Sequence, residues 1–185
     1  MASAGTTGCE KPGRARALLV IDMLNDFLEE EGALYCGPTG RAIVPVVVDR
    51  IREAREAGEP VFFVCDRHTH GDREFEMFPA HCVTGTAGAG VIPELTHRGG
   101  DFVVPKRRFS AFYGTDLDLH LRELGVEELV LVGLCTNICV FFTAADARMR
   151  NYRVTVPEAG VASFDVEAHR FALGQMEKVL GVRVV

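Results

Sequence analysis

The sequence predicts an α/β fold: a single three-layer domain with a mostly parallel sheet of five or six strands and helices on both faces. Two observations lead to this prediction. Short apolar runs rich in Val, Ile, Leu and Phe alternate with amphipathic stretches of helical length, which is typical of a sheet buried on both faces. The chain has 185 residues and is 48% hydrophobic, which is enough for one domain with a substantial core and too short for two ordinary ones.

Apolar runs predict the strands in chain order. They cover residues 16–21, 60–65, 101–105, 128–133 and 152–156, with a sixth candidate at 182–185.

The stretches between the strands predict four helices, at residues 41–57, 116–124, 137–150 and 166–180. The first two end at Gly58 and Gly125, because glycine commonly follows the last turn of a helix. Thr136 or Asn137 can cap the third. The domain is predicted to span residues 16–185, and residues 1–15, rich in Gly, Ala, Ser and Thr, are expected to form a flexible N-terminal tail.

Charge and composition exclude several classes of partner. The net charge of -6 and the short basic cluster at 106–108 disfavour a nucleic-acid partner. No apolar run approaches the length of a membrane span, so we expect no membrane partner. The six cysteines follow no regular disulfide spacing, which favours a reduced, cytoplasmic protein. The hydrophobic content permits a homo-oligomer.

Reactive side chains follow four of the predicted strands. Asp22, Asp66 and Lys106 come at the ends of the first three, and the fourth leads to Cys135 and Cys139. Ligands of open α/β sheets bind outside the carboxyl ends of the strands, so these residues are the first candidates for a functional site.

Each candidate has a functional and a structural interpretation. Cys139 lies near a predicted helix start, where unpaired amides and the helix dipole favour a thiolate, but a lone free cysteine more often packs in the core. Asp22 can serve as a general base or as a cap for the segment that follows, a role that suits Asp26 better. Lys106 can also be a surface residue beside Arg107 and Arg108. A zinc pair of Cys135 and Cys139 is disfavoured, because no second pair lies at metal spacing.

The long loop between residues 66 and 90 contains a second set of polar residues. Asp66, His68, Glu74 and His81 combine imidazole and carboxylate groups, which suit Zn, Fe or Mn. A solvated polar loop is the alternative to a metal site. Long ordered loops are usually functional, but not every one of them binds a metal. The competing ligand candidates in this loop are His70, Asp72 and Glu76.

The motifs in this order resemble those of the isochorismatase-like cysteine hydrolases, and within them most closely those of the nicotinamidases. The motifs that carry the resemblance are residues 19–27, Asp66-Arg-His68, Glu74 with 78–86, 106–112 and 133–140. The resemblance covers nearly everything from residue 17 onward. Two positions depart from the common pattern: Leu24 stands where many relatives have Gln, and Cys135 where many have Ala.

The resemblance implies roles for individual residues. It implies a catalytic triad of Asp22, Lys106 and Cys139, with the backbone amides of Cys135 and Cys139 as the oxyanion hole and a cis peptide between Leu134 and Cys135. The metal ligands that it implies are Asp66, His68, Glu74 and His81, around one divalent transition metal, with Zn expected and Fe or Mn as alternatives. The substrate-binding residues that it implies are Phe27, Phe78, Tyr113 and Leu134.

The function implied by the resemblance is hydrolysis of nicotinamide to nicotinate and ammonia through a cysteine thioester. The nearest alternative keeps the chemistry and changes the small-molecule substrate to a pyrazinamide-like, N-carbamoyl or maleamate-type amide. Two further alternatives are a metal-dependent hydrolase that activates water and a catalytically silent binding protein.

Overall fold

The computed structural model describes residues 15–185 and contains a sheet of seven strands in which every neighbouring pair is parallel. The strands are β1 (Ala15–Ile21), β2 (Val61–Asp66), β3 (Phe102–Lys106), β4 (Val126–Leu134), β5 (Arg153–Val156), β6 (Val161–Ala162) and β7 (Arg183–Val184). Their spatial order is β3-β2-β1-β4-β5-β7, and β6 pairs with β4. The predicted fold class is therefore confirmed.

Helices cover both faces of this sheet. They are α1 (Asn25–Leu28), α2 (Gly37–Ala42), α3 (Val44–Glu56), α4 (Leu117–Glu123), α5 (Phe141–Met149) and α6 (Val166–Lys178). Alternate residues of β1 face opposite layers, as the pleat of a strand requires. Leu19 belongs to the core with α4, α5 and α6, whereas Leu18 belongs to the core with α3.

All six predicted strands are present, and the seventh, β6, has only two residues and therefore left no apolar run to detect. The predicted helix at 41–57 is instead two helices, α2 and α3, which meet at Ile43. Pro45 explains the break, because it lacks an N–H and is tolerated only in the first turn of a helix. Gly58 follows α3 with a φ of 69°, as predicted.

The predicted helix at 137–150 begins as a π-helical turn, Thr136–Val140, and continues as α5. The expected cap by Thr136 or Asn137 is wrong, since the N-cap position is Cys135 and no side chain caps the turn. The hydroxyl of Thr136 lies 2.8 Å from His169 Nδ1, and Asn137 Oδ1 accepts a hydrogen bond from Ser163.

The predicted tail at 1–15 lies outside the described residues except for Ala15, which begins β1. Within residues 15–185, none of the helices has the length and apolar character that crossing a bilayer requires.

The register of the parallel strands brings the reactive residues to one edge of the sheet. Asp66 pairs with Lys106 at the ends of β2 and β3, and Ile21 pairs with Gly133 near the ends of β1 and β4. The φ of Gly133 is 116°, and a Cβ there would lie 2.0 Å from the carbonyl oxygen of Ile21, so only glycine allows β4 to pass this close to the end of β1.

Candidate active site

Asp22 is the first residue after β1, and its backbone directs the side chain across the strand ends. Its φ is 53°, a left-handed conformation that is uncommon for residues other than glycine and recurs at functional sites. Oδ1 accepts a hydrogen bond of 2.9 Å from the backbone N–H of Asp66. The carboxylate is 1% exposed and is therefore held inside the protein.

Lys106 ends β3 and uses its ammonium group to join three elements. Nζ lies 2.6 Å from Asp66 Oδ1, 2.7 Å from Asp22 Oδ2 and 3.4 Å from Cys139 Sγ. Of its three N–H donors, two make hydrogen bonds, to Asp66 and Cys139, and the contact with Asp22 is an ion pair. The side chain is completely buried, which excludes the surface interpretation.

Cys139 lies in the π-helical turn that follows β4, and its sulfur is within 4.8 Å of carboxylate oxygens of both Asp22 and Asp66. Single π-helical turns frequently occur at functional sites. The residue is 7% exposed and lines a cavity, so a small molecule can reach the thiol. The peptide bond between Leu134 and Cys135 is cis, as the resemblance implied.

The cavity above Cys139 has a volume of about 400 Å³, within the usual range for small-molecule sites. Its floor contains Asp22, Asp66 and Cys139. The aromatic residues that line it are Phe27, Tyr35, Phe78, Phe109 and Phe164. A flat ring fits such walls, and the reactive groups lie together at the bottom.

A second polar cluster lies beside the triad and shares Asp66 with it. One ligand atom from each of Asp66, His68, Glu74 and His81 lies within 4.8 Å of the others, and all four residues are buried. Asp66 Oδ2 is 3.7 Å from Nε2 of each histidine, and Glu74 Oε1 is 3.9 Å and 4.0 Å from the same atoms. These separations exceed hydrogen-bonding distance.

Bonds on the outer side of both imidazoles fix their orientation. His68 Nδ1 lies 3.1 Å from Asp72 Oδ2, and His81 Nδ1 lies 2.8 Å from the carbonyl oxygen of Pro79. Each ring therefore presents Nε2 to the centre of the cluster, as histidine ligands of metals usually do.

The cluster fits a divalent transition metal. His68 Nε2 and Glu74 Oε2 are buried with no hydrogen-bond partner among the described residues, and Glu74 Oε2 has only the Arg108 guanidinium at 3.7 Å. Buried polar atoms without such a partner are costly, and a bound cation would satisfy both. Two imidazoles and two carboxylates form a donor set that suits zinc, iron or manganese.

Comparisons with known proteins show which family the chain belongs to. The sequence model of the isochorismatase domain family matches residues 16–184 of this chain. The chain belongs to the isochorismatase family. Its structure is similar to that of the nicotinamidase/pyrazinamidase PncA from Bacillus subtilis, with a TM-score of 0.89 and 38% identity over 92% of this chain and 99% of that one.

Two other solved structures are also similar. N-carbamoylsarcosine amidase from Thermoplasma acidophilum has a TM-score of 0.85 and 38% identity, over 92% of this chain and 95% of that one. The pyrazinamidase of Pyrococcus horikoshii, solved in complex with zinc, has a TM-score of 0.86 and 32% identity, over 92% of this chain and 98% of that one. The resemblance found from the motifs is confirmed.

Most residues singled out from the sequence of this isochorismatase-family chain meet in one place. Phe27, Phe78 and Leu134 line the cavity, and so do Cys135 and Cys139, whose backbone amides remain the predicted oxyanion donors. The prediction for Tyr113 is wrong. Its side chain is 67% exposed and lines a different cavity, because it sits in a turn after β3 that faces away from Cys139.

The structure also decides between the metal-ligand candidates in the loop. His70 and Glu76 are exposed and lie outside the cluster. Asp72 is buried but lies behind His68, where its carboxylate also accepts hydrogen bonds from the backbone N–H of Glu74 and from Arg108. It therefore orients the cluster and does not belong to it.

The expectation that the helix start favours a Cys139 thiolate is opposed by burial. Burial raises the pKa of Cys139 well above its ordinary value, although the Lys106 ammonium opposes this. Burial and the neighbouring Asp66 carboxylate raise the pKa of Asp22 to about 6. The pKa of Lys106 is raised despite its burial, because Asp22 and Asp66 favour its charged form. At neutral pH the site therefore holds a thiol, an ammonium and a carboxylate ready to accept a proton.

Several residues around the site were missed from the sequence. Phe109 lies three residues after Lys106, so the same motif could have indicated it, whereas Tyr35 and Phe164 lie in loops without a strand-end signal. Asp26 was interpreted as a cap for the segment after β1. Its carboxylate instead accepts hydrogen bonds from the backbone N–H groups of Cys82 and Ala33, which anchors the loop next to His81.

Proposed function

We propose that this chain hydrolyses nicotinamide to nicotinate and ammonia, with Cys139 as the nucleophile. The observation that carries the proposal is the position of Cys139 Sγ, 3.4 Å from Lys106 Nζ at the floor of an aromatic cavity that also opens onto the cluster of Asp66, His68, Glu74 and His81. The triad accounts for amide cleavage, and the cavity with its cluster accounts for a flat heteroaromatic substrate.

The first half of the reaction forms a thioester. Asp22 accepts the Sγ proton, and the sulfur attacks the amide carbon to form a tetrahedral oxyanion, which backbone N–H groups of Cys135 and Cys139 stabilise. Lys106 stabilises the negative charge on sulfur as it develops. The carbon–nitrogen bond then breaks, and the proton held by Asp22 passes to the leaving nitrogen, which departs as ammonia.

The second half returns the enzyme to its resting state. Asp22 takes a proton from a water molecule, whose oxygen attacks the thioester carbon. The carbon–sulfur bond breaks, the acid is released, and Cys139 regains a proton from Asp22. One carboxylate thus serves as base and acid in each half, and its raised pKa of about 6 suits both tasks near neutral pH.

The loop cluster has a positioning role in this proposal. Asp66, His68, Glu74 and His81 would hold a zinc, iron or manganese ion, which supplies a Lewis-acidic contact for the pyridine nitrogen. The chain itself then orients the substrate. Asp66 is shared between the metal-ligand cluster and the group that contains Cys139, and the aromatic walls keep the ring in one plane.

The alternative substrate class is another small amide, of the pyrazinamide-like, N-carbamoyl or maleamate type. The similarity to N-carbamoylsarcosine amidase, at the same 38% identity as the nicotinamidase from Bacillus subtilis, favours keeping this alternative. The aromatic walls favour a ring over a linear amide.

Ammonia release from nicotinamide, pyrazinamide, N-carbamoylsarcosine and maleamate by the zinc-loaded protein tests the proposal. We expect the highest kcat/KM with nicotinamide, and a loss of at least about 10⁴-fold in Cys139→Ala, as for other buried nucleophiles. Cys139→Ser is the matched variant, because it preserves the size of the side chain while weakening the nucleophile.

Preference for a linear amide would overturn the substrate assignment and leave the nucleophile intact. Full activity in Cys139→Ser, with loss on chelation, would instead identify metal-activated water as the nucleophile. A thermal unfolding curve for each variant separates lost chemistry from lost folding.

A further inference from the structure

A second cavity, of about 380 Å³, lies behind the ends of β2 and β3. It is lined by Arg67, Pro105, Arg107, Arg108, Tyr113 and Gly114. Asp66 and Lys106 are paired at the strand ends and face the active site, and the backbone N–H of Arg67 bonds to the carbonyl oxygen of Lys106. Successive side chains of an extended chain point to opposite sides, so Arg67 and Arg107 point away from the active site and into this cavity.

The lining of this cavity is strongly cationic. It contains three guanidinium groups and no carboxylate, in a chain whose net charge is -6. Among residues 15–185, Arg67 and Arg107 have no side-chain hydrogen bond or ion pair. Arg108 is anchored at the rim by Asp72, whose Oδ1 lies 2.9 Å from its Nη1. Like charges that converge on a concave surface repel one another unless an anion lies between them.

We propose that this arginine cavity binds a phosphate group. Guanidinium groups recognise phosphate through pairs of parallel N–H···O bonds, and a doubly charged anion with several acceptor oxygens can engage more than one arginine at once. Tyr113 adds an exposed aromatic ring at the same cavity, which can stack on a nucleotide base. The phosphate therefore comes either from inorganic phosphate or from a nucleotide.

Calorimetric titration of the full-length protein tests this site without reference to its enzymatic activity. The probes are inorganic phosphate, ADP and adenosine, at constant ionic strength and with nicotinamide absent. We expect saturable binding of phosphate and ADP. The double variant Arg67→Gln, Arg107→Gln should weaken both by about tenfold or more, because each charge-assisted hydrogen bond contributes strongly to affinity.

The matched control is the double variant Arg98→Gln, Arg183→Gln. It makes the same change in net charge at two exposed arginines outside the cavity. Binding by the control should equal that of the unmodified protein. Equal weakening in both double variants would attribute the effect to net charge and overturn the site. The site would also be overturned if neither phosphate nor ADP bound saturably at concentrations up to about 10 mM, which corresponds to a binding free energy of about 3 kcal/mol.

Comparison of the probes identifies the source of the phosphate. If a nucleotide is the natural ligand, ADP binds at least about tenfold more tightly than inorganic phosphate, and Tyr113→Ser removes the advantage. Equal affinities that respond to the arginine variant support free phosphate. Binding of adenosine as tight as that of ADP would overturn the proposal, because recognition would then not involve the phosphate.

Discussion

The two halves of the candidate active site share Asp66 but are built in different ways. The triad comes from the ends of regular elements, with Asp22 after β1, Lys106 at the end of β3 and Cys139 in the turn after β4. The cluster on the other side comes mainly from a long loop, whose shape depends on bonds such as Asp26 to the backbone N–H of Cys82. The sheet ladder positions the first half, whereas side chain-to-backbone bonds position the second.

The two halves also differ in how their charges are balanced. In the triad, one ammonium lies 2.6 Å from Asp66 Oδ1 and 2.7 Å from Asp22 Oδ2, so each carboxylate has a cation in direct contact, although Asp22 Oδ2 makes no hydrogen bond among the described residues. In the loop cluster, within residues 15–185, His68 Nε2 and Glu74 Oε2 have no hydrogen-bond partner, and the Arg108 guanidinium lies 3.7 Å from Glu74 Oε2. We infer that the triad is complete as the chain folds, while the loop cluster is complete only with a bound cation.

Replacement of Lys106 by Met should have the largest effect on stability, because it removes the cation from between two buried carboxylates. We expect unfolding free energy to fall by about 3–5 kcal/mol, the usual cost of breaking a buried ion pair. Activity should fall by roughly 10³-fold or more, since the thiolate loses its stabilising charge. Urea unfolding and ammonia release measure the two effects.

Lys178→Met is the control for this variant, because it removes an exposed lysine at the end of α6. It should leave stability unchanged within about 0.5 kcal/mol. A Lys106→Met protein as stable as the control would contradict the view that the triad is held together by its own charges.

Replacement of Asp72 by Ala tests the loop half with a smaller expected effect. His68 Nδ1 loses its partner, and a ligand oriented less well should lower zinc affinity by about 10–100-fold. Asp72→Asn retains an acceptor and should lose less. Competition with a chromophoric chelator measures the affinity, with the exposed Asp49→Ala variant as the charge-matched control.

The Asp72→Ala variant also tests whether the two halves are independent, if alkylation of Cys139 by iodoacetamide is measured in parallel. The alkylation rate depends on the triad and should match that of the unmodified protein. A parallel loss of thiol reactivity would mean that the loop and the triad are not independent, with Asp66 as the link.

The sequence predicted the triad better than the walls of the cavity for a physical reason. Parallel strands place their carboxyl ends at one edge, so a reactive residue after each apolar run is expected near the others, as Asp22 and Lys106 are. The walls come from turns between elements. Tyr113 directly follows the motif that begins at Lys106, yet a turn that begins at Ser110 carries it to another cavity.

Charge states were equally hard to predict from the sequence. A helix start next to a lysine favours a thiolate, but burial acts in the opposite direction, and the extent of burial depends on packing by residues far away in the chain. The set of metal ligands also could not be predicted without the fold. Only the structure shows that Asp72 contacts Nδ1 of His68, whereas Glu74 lies on the Nε2 side of the same ring.

The pH dependence of the two halves gives the smallest effect and the finest comparison. Asp22 must be deprotonated to accept the Cys139 proton, and its pKa is raised to about 6, so the rate is fully retained above this value and is lost as pH falls through it. At pH 5 we expect roughly a tenfold loss in the rate of Cys139 alkylation, which reports the triad alone.

Ammonia release from nicotinamide with saturating zinc reports both halves. Coincident acid limbs near pH 6 assign the loss to Asp22. If ammonia release falls at a higher pH than alkylation, protonation of the loop imidazoles limits the reaction first, and the loop is the more acid-sensitive half of the site. An alkylation rate that stays constant down to pH 4.5 would show that Asp22 is not the base.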